Sequence, residues 1–123
     1  MAYLTDRKRA VGMGSAKSGT EHHWSMMVSS VGLAILIPLF IFNFGGILGG
    51  TYEEVTAHYA RPYPAILAAL TVALGMMHFK NGVQVLIEDY VHGTARKVAI
   101  ILTICLSYAI AGTGLFAIAR LAL

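Results

Sequence analysis

Three predominantly apolar runs, Trp24–Phe44, Tyr63–Ile87 and Val98–Ile118, divide this chain, and its polar residues gather in Met1–His23, Thr51–Arg61 and Glu88–Lys97. Each run reaches or exceeds the ~20 residues an α-helix needs to cross a bilayer core. A soluble bundle would carry a polar face along every helix, and Ile100–Ala119 offers none beyond Thr and Ser. Composition agrees: 57% of the 123 residues are hydrophobic and only 12% charged, against about 25% charged in an ordinary soluble domain. The pattern predicts an all-α integral membrane protein with three transmembrane helices, over about 24–44, 63–90 and 98–119. They form one membrane domain, 24–123, preceded by a cytoplasmic N-terminal arm, 1–23.

The first apolar run begins after more than twenty polar residues and no small-residue cleavage site follows a short apolar core, so no cleavable signal peptide is expected. The arm also lacks the Arg- and Ser-rich amphipathic pattern of an organelle transit peptide, which favours a bacterial inner (cytoplasmic) membrane. Orientation follows the basic residues near helix ends. Arg7, Lys8, Arg9 and Lys17 lie in the arm and Arg96 and Lys97 in the second loop, whereas the first loop has only Arg61 and the C-terminal end only Arg120. The arm and second loop are thus expected in the cytoplasm, and the first loop and C-terminus in the periplasm. The net charge of +3 reads as an orientation signal and lipid contact, with no nucleic-acid partner. The lone Cys105 lies mid-span, so a disulfide within the chain is impossible and a Cys-based iron–sulfur site lacks its thiolates.

Ala10–Thr20 is rich in Gly, Ser and Ala, and Lys17–Thr20 hints at a phosphate loop, but the spacing is wrong and no strand precedes it. A flexible arm draped over a partner is the expectation. Thr20 and Glu21 suit a helix start, and Pro38 sits late in the first span. Thr51–Tyr59 reads as a short amphipathic helix along the outer interface, with Tyr52, Val55 and Tyr59 on one side. Pro62 and Pro64 suit the start of the second span, and Val91–Thr94 a short turn.

The second span carries the chemistry. An ionisable side chain deep in a membrane helix is costly and is usually retained for a task, and His78 lies near the middle of that span. At about 100° per residue, Gly75, His78 and Gly82 share one face, and Asp89 returns to nearly the same azimuth about 16 Å further on. Two glycines flanking an imidazole leave a flat slot in which a planar macrocycle could lie with His78 on its iron. The same spacing also lets two helices pack closely with the histidine hydrogen-bonded across the interface, and a proton-relay histidine is a third reading. His22, His23, His58 and His92 all fall at or outside an expected membrane boundary. A bis-histidine haem would therefore take its second ligand from another polypeptide. Tyr90, at the end of the span, suits either the interfacial aromatic belt or a hydrogen-bond donor to a quinone carbonyl, with Asp89 holding a neighbouring cation or delivering protons. Glu88 reads as a solvated interfacial charge. Lys80, on nearly the opposite face from His78, is expected to snorkel toward the cytoplasmic headgroups.

His78, Gly82, Asp89 and Tyr90, spaced His-x3-Gly-x6-Asp-Tyr, resemble the signature of the small hydrophobic membrane-anchor subunits of succinate dehydrogenase (respiratory complex II), in the D-type form of alphaproteobacteria. Gly14–His22 in the arm and Thr51–Tyr63 in the first loop are similar to that family too, so the resemblance covers essentially the whole chain. It implies pairing with a second, cytochrome b556-type anchor subunit, a haem b held between one histidine from each, and docking of a flavoprotein subunit and an iron–sulfur subunit on the cytoplasmic side. By the match, His78 is the axial ligand and Tyr90 hydrogen-bonds ubiquinone with Asp89 beside it. His22 corresponds to a Gly-x-x-His element near the haem propionates. One departure stands out. Relatives usually carry an arginine shortly after that histidine, and Trp24–Val28 contains no cation, so another group must neutralise the propionate here. The related anchor of a quinol:fumarate reductase and a cofactor-free membrane adaptor are the alternative readings.

Overall fold

The computed structural model describes residues 5–12 and 19–123. Five helices follow in order: α1 (Asp6–Val11), α2 (Gly19–Gly45), α3 (Tyr52–Tyr59), α4 (Pro62–Tyr90) and α5 (Gly93–Ala122). Among the described residues there is no strand. α2, α4 and α5 are each long and apolar enough to cross a membrane, so the chain is a multi-pass membrane protein.

Each boundary has a local cause. Thr5 caps α1 by accepting from the Lys8 N–H. The rest of the glycine-rich stretch, including Gly14, Lys17 and Ser18 of the phosphate-loop hint, lies outside the described residues. α2 begins at Gly19, five residues before the apolar run, because backbone hydrogen bonding continues into the headgroup region and Glu21 suits the positive end of the helix. Pro38 sits inside α2 without ending it, although it has no N–H for the carbonyl four residues earlier. Gly49, at φ +84, supplies the left-handed residue that turns the chain toward α3.

α3 is held by a reciprocal capping box: Thr51 Oγ1 accepts from the Glu54 N–H, and the Glu54 carboxylate accepts from the Thr51 N–H at 2.7 Å. Its three aromatic-side residues divide: Tyr59 is buried and Val55 half-buried, while Tyr52 is exposed. Burial pushes the Tyr59 phenol above its ordinary pKa. The His58 ring at Nε2 meets Asn43 Oδ1 at 3.0 Å, tying α3 to the end of α2. Pro62 at the first position of α4 gives up an N–H that would be unpaired there anyway. α4 leaves through extended Val91, and Gly93 at φ +67 opens α5. The turn between them is therefore shorter than Val91–Thr94.

α4 is the central helix. It packs against α2 on one side and α5 on the other, and α2 and α5 are not neighbours. Leu33, Ala65, Leu67, Ala68 and Ile87 form a thin core along α4. Small residues allow the close approach: a Cβ on Gly114 would stand 3.1 Å from Val72 Cγ1, and one on Gly32 would stand 2.6 Å from Leu74 Cδ2. The outer faces stay apolar and uncovered, with Trp24, Val31, Ile35 and Phe42 on α2 and Ile101, Leu102 and Phe116 on α5 all more than half exposed. Water cannot solvate that much contiguous apolar surface, so lipid or other subunits must.

Candidate functional site

Hydroxyl groups inside the spans mostly return their hydrogen to their own helix: Ser30 to the Met26 carbonyl, Thr71 to Leu67, Ser107 to Thr103 and Thr113 to Ala109. That local bond satisfies a polar side chain where lipid cannot. Ser29 does this and more. Its Oγ lies 2.8 Å from the Ser25 carbonyl oxygen and 2.9 Å from that of Met26, and 2.9 Å from His78 Nδ1 across the α2–α4 interface. One hydroxyl hydrogen meets three neighbours, and the two carbonyls can only accept. The arrangement is fully satisfied when Ser29 donates to its own helix and accepts from Nδ1–H of His78. In the neutral ring that tautomer leaves the lone pair on Nε2.

Among the described residues His78 forms a hydrogen bond through Nδ1 and none through Nε2. The ring lines an open groove whose other walls come from α2: Ser30, Leu33, Ala34, Ile37 and Pro38. Ala34 is the residue whose carbonyl Pro38 leaves without a helical partner. Gly75 has open space where a Cβ would go, whereas a Cβ on Gly82 would stand 3.6 Å from the Met26 methyl of α2. One turn nearer the N-terminus of α2, buried Asn81 donates from Nδ2 to Ser25 Oγ at 3.3 Å. His22 stands three residues before Ser25 on the same face, and its Nε2 is buried with no partner among the described residues. His22, Ser25 and Ser29 thus form a polar stripe on α2, facing Asn81 and His78 on α4.

Asp89 and Tyr90 close α4 about 16 and 18 Å beyond His78 along the axis. Both are exposed, Tyr90 at 78%. Asp89 forms no ion pair among the described residues. Glu88 is only partly solvated: it accepts from Gln84 Nε2 at 3.0 Å and lies 3.8 Å from the Arg96 guanidinium, linking the end of α4 to the start of α5. Lys80 departs from its expected snorkelling. Its ammonium lies 5.5 Å from the ring centroid of Tyr108, a residue about 22 Å into α5. A cation–π contact serves it at depth. Among the described residues no three of His, Cys, Asp or Glu gather as a metal site.

The whole pattern, from the polar stripe to the Asp89–Tyr90 end, lies within residues 1–116, which match the family model for the succinate dehydrogenase/fumarate reductase transmembrane subunit. The chain belongs to this family. It is 43% identical over its full length to the succinate dehydrogenase hydrophobic membrane anchor subunit of Paracoccus denitrificans, covering 95% of that protein. It is 26% identical over 91 residues to the succinate dehydrogenase membrane anchor subunit of Reclinomonas americana, which spans 72% of this chain and 76% of that one. No solved structure is significantly similar. The chain is thus a succinate dehydrogenase membrane anchor, a component that works within a larger complex.

The anchor brings His78 and the His22 stripe to one interface, α2 against α4, and leaves Asp89 and Tyr90 at a separate, exposed end. Gly82 lies in that interface as well, beside Met26. Sequence reasoning missed Ser25, Ser29 and Asn81. A serine in an apolar span carries no signal of its own, although Ser25 and Ser29 recur at the four-residue spacing of a single helix face.

Proposed function

We propose that this anchor supplies one axial ligand, His78, to a haem b shared with a second, cytochrome b556-type anchor subunit, and that Tyr90 and Asp89 form part of a ubiquinone-reduction site. The observation that carries the reading is the state of His78. Its Nδ1 is engaged by Ser29 at 2.9 Å, its Nε2 is free of partners among the described residues, and it borders an open, mostly apolar groove. A neutral imidazole with a free ring nitrogen is what a haem iron requires of a protein ligand. The orphaned buried Nε2 of His22 suits a hydrogen bond to a propionate, and takes on more weight because Trp24–Val28 holds no cation. A haem bound there supplies one-electron transfer within the membrane. Gly75 leaves open space on the His78 face.

At the other end, the exposed Tyr90 hydroxyl is available to donate to a quinone carbonyl, and Asp89, without an ion pair among the described residues, can orient a cation or pass protons from water. The flavoprotein and iron–sulfur subunits would dock over this end, and the bias of basic residues supports a cytoplasmic position for it. The family includes fumarate reductase subunits, but both matching relatives are named for succinate dehydrogenase, which favours succinate oxidation. For His78→Ala, the purified complex is expected to lose its low-spin b-type absorption on reduction. An unchanged reduced-minus-oxidised spectrum rejects the ligand role.

A further inference from the structure

We infer that Ser29 is the positioning residue for His78: by accepting the Nδ1 hydrogen it fixes the tautomer and the plane of the imidazole and so tunes the group held on Nε2. The inference rests on the reading of His78 as a haem ligand and goes beyond it, because it assigns a role to a side chain that never touches the haem.

The geometry is specific. Ser29 is 4% exposed, so no water competes for its oxygen. When its own hydrogen goes to the Ser25 or Met26 carbonyl, at 2.8 and 2.9 Å, an Oγ lone pair is left for Nδ1 at 2.9 Å. Ser30, next in sequence, also returns its hydrogen to Met26 but is exposed and reaches no group on α4. The hydroxyl at position 29 is therefore distinguished by its neighbour across the interface. The Asn81–Ser25 bond one helical turn away holds α2 and α4 in the register that makes this meeting possible. A ligating histidine ordinarily donates its second ring N–H to a fixed acceptor, and loss of that acceptor lowers metal affinity about 10–100-fold. The acceptor also raises the basicity of the ligand. Its removal therefore disfavours the ferric state and raises the midpoint potential.

The test uses the assembled complex in detergent, read by redox potentiometry, by EPR of the oxidised haem and by haem retention. Ser29→Ala is expected to raise the midpoint potential, shift the low-spin g values as the ring loosens, and speed haem loss by about 10-fold, the lower bound for such partners. Ser29→Thr keeps a hydroxyl and should stay close to the parent protein. If Ser29→Ala does not assemble, Ser29→Cys, nearly the same shape with a weaker acceptor, should show the same upward shift. A Ser29→Ala or Ser29→Cys complex with parental potential and g values overturns the inference. A merely structural Ser29 would lower thermal stability and leave both signals in place. Failure of the underlying reading looks different: His78→Ala would then retain the parental haem spectrum whatever Ser29 variants do.

Discussion

At the scale of single residues, the same helix uses two polar groups in opposite ways. His78 is held from behind by Ser29, and a held imidazole is suited to a fixed ligand geometry. Tyr90 is exposed at a helix end, with no hydrogen bond from its hydroxyl among the described residues, and such a phenol is suited to meeting a mobile substrate or a partner chain. The proposal for Tyr90 therefore depends on its hydroxyl alone. In Tyr90→Phe, quinone reduction by the complex is expected to fall by about 100-fold, the lower end for loss of a positioned proton donor. Succinate oxidation with a soluble electron acceptor should persist, since the proposal leaves that chemistry to other subunits. Equal retention of both activities would show that Tyr90 is only an interfacial aromatic. Lys80 gives a residue-scale lesson of another kind. From the sequence it was expected to reach the headgroups, because Tyr108 is 28 positions away and its ring comes over the ammonium only when α4 and α5 are packed.

At the scale of elements, α4 and α5 approach closely because glycine removes a side chain where valine supplies one. Val72 is β-branched and confined largely to one rotamer in a helix, so it cannot swing away from a new side chain on Gly114. Gly114→Val is expected to destabilise the packed pair by about 1–3 kcal/mol, the usual range for overpacking, seen as faster thermal inactivation of the solubilised complex. Gly112→Ala, two residues away with nothing within 4 Å of the added Cβ, should leave the α4–α5 contact unchanged. Comparable losses in both would mean that the Val72 contact is not what limits side chains on this face of α5. On the other side of α4 the close approach at Gly32 is softer, since the facing atom is the tip of the flexible Leu74 side chain.

At the scale of the molecule, three helices in a row make an incomplete bundle. α4 has neighbours on two sides, but α2 and α5 each present a broad apolar face to their surroundings. The groove at His78 has its other walls on α2, so the proposed second anchor subunit would have to reach the ring past that helix. The basic residues make the topology checkable. A periplasm-activated reporter enzyme fused after Leu123 should be active and one fused before Met1 inactive, as the Lys and Arg bias requires. The reverse result would move the Asp89–Tyr90 end away from the cytoplasmic subunits and with it the quinone proposal.

The sequence by itself determined the three membrane helices, the short amphipathic helix between the first two, and the azimuths of His78, Asp89 and Tyr90 on α4. Those follow from local rules: hydropathy over about 20 residues, proline and glycine at ends, and 3.6 residues per turn. Helix ends ran past the apolar runs, at Gly19 and Gly93, because hydrogen bonding does not stop where hydrophobicity does. Only the tertiary structure decided that α4 is central, that Lys80 meets Tyr108, and that Ser29 stands behind His78. Those pairings join residues 28 and 49 positions apart. Which faces meet depends on small-residue packing between whole helices, and an apolar span that is apolar all round does not announce which of its sides will be covered.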